Sequence, residues 1–485
     1  MSEDGQREPV AGLSSPATGR ARARRWVVLI AVISIHTLII TKVGLKILPG
    51  TDFFAYYLSA RALMTGHSPY EAARDWYNFD DPVFHDASVA HFQLRGWNEA
   101  SGREALMKYV ISSGLTGVLY PPQAYLILLP FSRLPWNLAL GTWVAFLTVA
   151  CLACGTLAWS FDRGPSPRTP MAGVWIIAVM LLNPLTLYSM AYGQIVLVIC
   201  ASVALGQWAV RRGYYRAGVI IWSFCVVKPQ LGFPFLVLSY LLGGWRQFRD
   251  VCLAGAILNL VSGLALSGDP MMVVDYLRSL HGSAVESYMS DKYNRVENDE
   301  IVSWDHVLWV LGGPSVALNA LRVFAGYATW GLLLASRIYL GARRGCCPAF
   351  YLAAAISASL ICAHTHNHDM VLLWLLIPYV LWLWDNGHHP DAYFLGALIA
   401  VCSVPRRAVV AACACLGLGP YFAGTPWETL VYHPGAADLL LSYRAFVSII
   451  LGLYLLVRGQ PRPWLMSGKW GDGRLRPSPD GRYSG

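Results

Sequence analysis

Apolar runs about as long as a membrane-crossing helix recur along nearly the whole 485-residue chain, separated by short polar stretches. A helix needs roughly 20 apolar residues to cross the hydrocarbon core of a bilayer. Inside that core every backbone N–H and C=O must find its partner within the protein, which favours helices. We therefore predict an all-α polytopic membrane protein with a bundle of about ten to twelve transmembrane helices.

The composition agrees with a protein that has lipid as its main solvent. Hydrophobic residues make up 55% of the chain and charged residues only 13%, whereas soluble domains carry about 25% charged residues. The net charge of +9 comes from basic clusters at the ends of apolar runs, a pattern typical of membrane topology. The bilayer is thus an expected partner and nucleic acid is not.

The arginines directly before the first apolar run place the N-terminus in the cytoplasm by the positive-inside rule. No small-residue cleavage site follows this run, so we predict a retained span over 26–40 rather than a signal peptide. The predicted regions are a disordered cytoplasmic tail (1–25), a membrane-embedded domain (26–457) and a basic cytoplasmic tail (458–485).

Two long polar segments are predicted on the outer side, at about 44–116 and 268–305, the first with short amphipathic helices on the membrane surface. Tyr120–Pro130 is too short to cross, so we expect an interfacial or re-entrant helix there. An apolar hairpin broken at Lys228 is predicted over 217–244. The other predicted spans cover 136–159, 171–189, 194–210, 251–267, 317–340, 348–363, 370–385 and 439–457.

Asp52 follows the first span almost at once, in the aromatic stretch Asp52-Phe53-Phe54-Ala55-Tyr56-Tyr57. A carboxylate held there against apolar surface is partly desolvated and can act as a base near neutral pH. An Asp before a helical run also suits a helix N-cap. Both interpretations stay open from the sequence.

The densest group of titratable residues at a predicted membrane boundary runs from His364 through His366 and His368 to Asp369. Hydrogen bonding to phosphate or sugar hydroxyls is the favoured interpretation. A zinc site needs three or four ligands, and the rest of such a set is not identifiable, so we predict no metal and no cofactor. A polar cap on a membrane helix is the remaining alternative.

Lys228 lies before Pro229 between two apolar half-helices, where an ammonium group needs either an anion or access to the headgroups. Phosphate is a suitable anion, and snorkelling to the outer surface is the alternative. Gln194, after Tyr192-Gly193, is predicted at the same depth as a polar contact or as a helix start.

Several segments together carry a resemblance to a known family. They are Asp52-Phe53 with Tyr56 and Tyr57, Gly66 with Pro69-Tyr70, Tyr120-Pro121-Pro122 to Pro130, Asn183-Pro184 with Gly193-Gln194, Lys228-Pro229, and His364 to Asp369. In this order they resemble the membrane-embedded glycosyltransferases of type C fold that use polyprenyl-phosphate sugars. The chain is most similar to glycosyltransferase family 87, the α-1,2-mannosyltransferase-like group.

This resemblance implies a polyprenyl-phosphate sugar donor, a glycolipid or glycan acceptor of the cell envelope, and inversion at the anomeric carbon. It also implies a location in the cytoplasmic membrane, with the active site facing the periplasm or exterior. The implied catalytic residues are Asp52 as general base, His364 and Asp369. The implied residues for donor phosphate and substrate are Lys228, His366, His368, Gln194, Tyr56 and Tyr57.

Two other functions are compatible with the sequence. The number of spans and the break at Lys228 also suit a transporter or a flippase for lipid-linked sugars, although transporters concentrate polar groups near the bilayer midplane. The polar groups here lie mostly at one predicted end of the bundle. A non-catalytic subunit of a larger assembly is the third interpretation.

Overall fold

The computed structural model describes residues 16–45, 50–70, 77–104, 120–160, 170–279, 348–362, 367–405 and 443–458, with a few single residues between 331 and 415. Within these ranges the chain is helical and contains no strand. The prediction of an all-α fold is therefore confirmed.

The α-helices are numbered here along the chain. They are α1 (Pro16–Ile39), α2 (Thr51–Met64), α3 (Pro82–Leu94), α4 (Pro122–Ser132), α5 (Trp136–Ser160), α6 (Pro170–Leu182), α7 (Pro184–Tyr192), α8 (Val196–Arg211), α9 (Tyr215–Ser223), α10 (Pro229–Ser267), α11 (Pro348–Cys362), α12 (Ile377–Asp385), α13 (His389–Ser403) and α14 (Tyr443–Arg458). A π-helical turn, Ile40–Gly44, extends α1, and two 3-10 helices are η1 (Phe224–Val227) and η2 (Asn367–Leu376).

Three helices of the described chain are long and apolar enough to cross a membrane, at Arg20–Gly44, Trp136–Thr156 and Pro229–Ser267. The helices α6 and α7 form a fourth candidate that is bent by 52°, where the sequence predicts one span over 171–189. Pro184 has no N–H to continue the helix, which accounts for the break. The chain is thus a membrane protein, and the predicted number of spans stays a prediction.

The first helix begins earlier than expected. It starts at Pro16, so residues 16–25, predicted as part of a disordered tail, are helical. Proline is favoured in the first turn of a helix, and the alanines and arginines that follow are good helix formers. Residues 1–15 lie outside the described residues.

The helix α2 is confirmed as short, but it does not lie on the surface. Phe53 and Ala60 are fully enclosed by protein and Tyr57 nearly so, and α2 packs against α4. Its residues from Asp52 to Leu63 are all buried or half-buried, so the helix presents no exposed polar side to the headgroups. The expectation of a surface amphipathic helix is wrong for α2. The predicted short helix near Tyr120–Pro130 is confirmed as α4.

Helix packing brings the segments with predicted site residues together. The short helix α7 contacts both α2 and η2, and α10 contacts α2, α4 and α11. Within α10, Gly244 has non-helical backbone angles, at the point where the sequence predicts a loop between two apolar segments. The starts of α2 and η2, the end of α7 and the residue before α10 carry the site described next.

Candidate functional site

Asp52 occupies the first turn of α2. The residue that caps this helix is Gly50, in a left-handed conformation with φ 61°, and Asp52 is already helical. The backbone N–H of Gly50 donates to the carbonyl of Ala191 at 2.8 Å, which ties the start of α2 to the end of α7. Asp52 is half-buried, and the interpretation of Asp52 as the N-cap is wrong.

Gln194 lies directly against Asp52, because the turn after α7 directs it there. Its Nε2 donates to Oδ2 of Asp52, and the residue is 2% exposed. The preceding Gly193 is left-handed, with φ 76°. Its carbonyl accepts a hydrogen bond from Nε1 of Trp143 at 2.8 Å. The turn is therefore held from two sides, and it aims the Gln194 amide at the carboxylate.

Tyr56 and Tyr120 extend this contact. Tyr56 follows Asp52 by four residues and so shares its side of α2. The two hydroxyls are 2.7 Å apart, and the hydroxyl of Tyr56 donates to Oε1 of Gln194 at 3.4 Å. We call Tyr120, Tyr56, Gln194 and Asp52 the Asp52 network.

Burial is the main reason that the pKa of both Tyr56 and Tyr120 lies well above the usual range. The negative charges of Asp52 and Asp369 raise both pKa values further. The two tyrosines therefore stay protonated at physiological pH, and they lie within electrostatic reach of both carboxylates.

The second part of the site is a buried ion pair between Lys228 and Asp369. The Nζ of Lys228 lies 2.7 Å from Oδ1 of Asp369, and the two side chains are 6% and 0% exposed. Lys228 is extended (φ −129°, ψ 87°) between η1 and α10, as expected for a residue before proline. Asp369 lies in the first turn of η2. The ammonium is paired inside the protein, so snorkelling to the headgroups is not observed.

The structure therefore gathers five of the sequence-predicted site residues. The other four are either bonded elsewhere or not described. Tyr57 is not part of the group, since its hydroxyl donates to the carbonyl of Leu134 at 2.7 Å and its ring packs on Trp136. His364 and His366 lie outside the described residues, and of His368 only the backbone is described. The gathered residues are Asp52, Tyr56, Gln194, Lys228 and Asp369.

Two further residues were not predicted as part of the site. Tyr120 closes the Asp52 network, and Tyr70 donates its hydroxyl to the carbonyl of Tyr120 at 2.7 Å. The sequence gives one local indication of a role for Tyr120, which is its position directly before the two prolines at the start of α4. No sequence spacing indicates the contact of Tyr120 with Tyr56 or that of Tyr70 with Tyr120, because both contacts depend on tertiary packing.

Metal binding has no support within the described part of the chain. No three His, Cys, Asp or Glu side chains are grouped there so as to hold an ion. Since the side chains of His364, His366 and His368 are not described, the predicted absence of a metal stays a prediction.

A comparison with known families gives a match over half of the chain. The family model for glycosyltransferase family 87 matches residues 119–364. This range contains Tyr120, Gln194 and Lys228, whereas Asp52 and Asp369 lie on either side of it. No curated protein matches the chain.

Proposed function

The chain belongs to glycosyltransferase family 87, and from that membership we propose a specific transfer reaction. A hexosyl group, mannosyl as in the family that the sequence resembles, moves from polyprenyl phosphate to an envelope glycolipid or glycan. The transfer takes place at the outer face of the cytoplasmic membrane, with the N-terminus inside. Glycosyltransferase activity follows from the family, while the donor, the acceptor and the side of the membrane are our proposal.

The observation that supports the proposal is that the buried hydroxyls of Tyr56 and Tyr120 lie within electrostatic reach of both Asp52 and Asp369, the partner of Lys228. Transfer from a lipid phosphate needs a base for the acceptor hydroxyl and a positive charge near the leaving phosphate. In the proposal Asp52 supplies the base and Lys228 the positive charge.

The proposed step is an inverting substitution. The acceptor hydroxyl loses its proton to the Asp52 carboxylate while its oxygen forms a bond to the anomeric carbon. The bond from that carbon to the phosphate oxygen breaks, and its electron pair stays on the polyprenyl phosphate. The transition state resembles the oxocarbenium ion of glycoside hydrolysis. The protonated Asp52 then returns its proton to water.

Lys228 is proposed to bind the donor phosphate. An ammonium group has three N–H donors, and one of them goes to Asp369. The remaining donors suit phosphate oxygens, on which negative charge grows as the bond breaks. Asp369 balances the buried charge of Lys228 and so keeps the ammonium in place before the donor arrives. His364, His366 and His368 are proposed to hydrogen-bond the phosphate or the sugar.

The proposal is tested by incubating membranes that contain the protein with labelled polyprenyl-phosphate sugars. The expected result is a labelled glycolipid or glycan whose new bond has the opposite anomeric configuration to the donor. Retention of configuration would contradict the mechanism with a single Asp base. Movement of the lipid-linked sugar across sealed vesicles without covalent transfer would instead favour the flippase or transporter.

A further inference from the structure

The Asp52 network draws its members from distant parts of the chain. Asp52 and Tyr56 come from α2, Gln194 from the turn after α7, and Tyr120 from the residues that lead into α4. Its contacts run from the Tyr120 hydroxyl to that of Tyr56 at 2.7 Å, and on to Oε1 of Gln194 at 3.4 Å, the longest of the three. The last contact joins the Gln194 amide to the Asp52 carboxylate.

Chemistry fixes the direction of every hydrogen bond in this network. An ionised carboxylate only accepts hydrogen bonds, so the NH₂ group of Gln194 must face Asp52 and its oxygen must face Tyr56. Tyr56 must then donate to Gln194, and Tyr120 must donate to Tyr56. All the donors therefore point towards Asp52, and hydrogen bonds aligned in this way polarise one another.

The members of the network other than Asp52 are enclosed by protein. Tyr56, Gln194 and Tyr120 are 6%, 2% and 7% exposed, and the hydrogen of the Tyr56 hydroxyl is used within the network. Tyr120 is itself held, because its carbonyl accepts from Tyr70, whose ring packs on Tyr276 at 5.6 Å between centroids. Their polar side-chain atoms are bonded to one another and to Asp52, as expected for groups that orient another group.

We propose that Gln194, Tyr56 and Tyr120 are positioning residues that orient the Asp52 carboxylate for taking the acceptor's proton. This inference rests on the proposed function, in which Asp52 is the base. It replaces the sequence-based expectation that Gln194 and Tyr56 bind substrate, and it adds Tyr120. A carboxylate held in one orientation avoids the loss of rate that follows when a base is misplaced.

The inference also predicts a change in pH dependence. A donor to the ionised carboxylate favours the charged form, so removing the Gln194 amide should raise the pKa of the base. The other titratable groups around the network in the described structure include Tyr56, Tyr120, Tyr125, Tyr70 and Asp369, with Lys228 paired to Asp369. Tyr56 and Tyr120 have raised pKa values, and Asp369 is paired. We assign the acid limb of the pH profile to Asp52, the proposed base.

The experiment compares Gln194→Met, Tyr56→Phe and Tyr120→Phe in the full-length protein, with Tyr77→Phe as the matched control. Tyr77 is also a buried tyrosine with a bonded hydroxyl, 2.9 Å from Ser88 Oγ, but it is no part of the network. We expect Gln194→Met to lower kcat roughly tenfold to a hundredfold, with little change in KM for donor or acceptor. Its acid limb should move up by about one pH unit.

A double variant separates a network from independent effects. If Tyr120 acts through Tyr56, then Tyr120→Phe should lower kcat in the wild-type background but add less than about a further twofold in Tyr56→Phe. Full additivity of the two losses would overturn the network. So would a raised KM at unchanged kcat in Gln194→Met, since that result identifies a substrate ligand.

An infrared titration keeps the inference testable without any substrate. The difference between the wild type and Asp52→Asn isolates the carboxylate bands of Asp52 and reports its pKa. Gln194→Met should raise that pKa and Tyr77→Phe should leave it unchanged. An unchanged pKa in Gln194→Met overturns the inference even if the wild type transfers sugar. If the wild type transfers none, the proposed function fails, and this titration still decides whether the network acts on Asp52.

Discussion

Lys228 and Asp369 carry opposite formal charges, yet the protein encloses both side chains almost completely, at 6% and 0% exposure. Either charge alone would be strongly unfavourable at such a position, and the 2.7 Å contact compensates both. Each residue therefore depends on the other before any substrate is bound. Removing one partner should therefore destabilise the protein, whereas replacing both should remove the charges needed for catalysis with less effect on stability.

Asp369→Ala should destabilise the folded protein by about 3–5 kcal/mol, because it leaves the Lys228 ammonium buried without its partner. The double variant Lys228→Met with Asp369→Leu should recover most of that loss, since apolar side chains of similar size suit the buried site. Thermal unfolding in detergent measures both changes. The double variant should still transfer no sugar, and full activity in it would remove Lys228 from phosphate binding.

Asp52→Asn should abolish transfer while the protein still inserts and folds, because the amide cannot take the acceptor's proton. The matched control is Asp86→Asn, which changes a carboxylate that is 89% exposed on α3. Asp86 contacts His85 at 3.4 Å, and exposed pairs of this kind contribute little. Initial rates of labelled transfer in membranes compare the two, and an active Asp52→Asn enzyme would contradict the assigned base.

At the scale of elements, α7 does most to build the site, and both of its ends have a defined local cause. Its first residue is Pro184, and the side chain of Asn183 caps it by accepting from the N–H of Leu185 at 2.8 Å. Its last residue is followed by the left-handed Gly193. The bend before α7 and the turn after it together bring Gln194 to α2.

Gly193→Ala should disrupt this turn. A side chain there must adopt a left-handed backbone, which costs about 1–2 kcal/mol, and its Cβ would also overlap the Cβ of Phe53. Gly213→Ala is the matched control, because Gly213 has φ 86° but open space where the alanine methyl group would lie. Thermal unfolding should show a greater loss for Gly193→Ala, and transfer should fall only there. Equal losses would show that the contact with Phe53 is unimportant.

Asn183→Ala should remove the cap of α7 and lower stability by about 1 kcal/mol. Asn183→Asp keeps the oxygen that caps the helix but loses the donation from Nδ2 to the Ser403 hydroxyl, a 2.7 Å contact to α13. The unfolding midpoint of the Asp variant should therefore lie between those of Asn183→Ala and the wild type. A midpoint equal to that of Asn183→Ala would mean that the cap itself contributes nothing.

At the scale of the whole molecule, the proposed reaction requires a defined orientation in the membrane. The basic residues before the first span and around Arg211 and Arg212 predict a cytoplasmic location for these ends. The segment with α2 and α3 is then outside, together with Asp52. Donors that carry sugar on polyprenyl phosphate must reach the same side.

Labelling of single introduced cysteines measures this orientation. Ser101→Cys and Arg212→Cys both change exposed residues, on predicted opposite sides. A membrane-impermeant maleimide added to intact cells should label Ser101→Cys and should label Arg212→Cys only after the membrane is opened. The parent protein gives the background from its native cysteines. The reverse pattern would place Asp52 in the cytoplasm and contradict the proposed side of reaction.

Sequence patterns that act over a few residues predicted much of the fold. The short helix α4 follows from a run too short to cross, and the break before α10 follows from Lys228-Pro229, because proline acts on its direct neighbours. The bend before Pro184 has the same cause, although hydropathy alone predicts one span there. The early start of α1 differs from the prediction because a polar run can resemble a tail and still have high helix propensity.

By itself, the sequence determined that this is a helical membrane protein, since hydropathy and helix-breaking residues are local properties of the chain. Only the tertiary structure decided which polar groups meet. Lys228 reaches Asp369 across 141 residues and Gln194 reaches Asp52 across 142. Contacts at such separations depend on how helices pack side against side, and no periodicity within one helix specifies the residue that an adjacent helix will present.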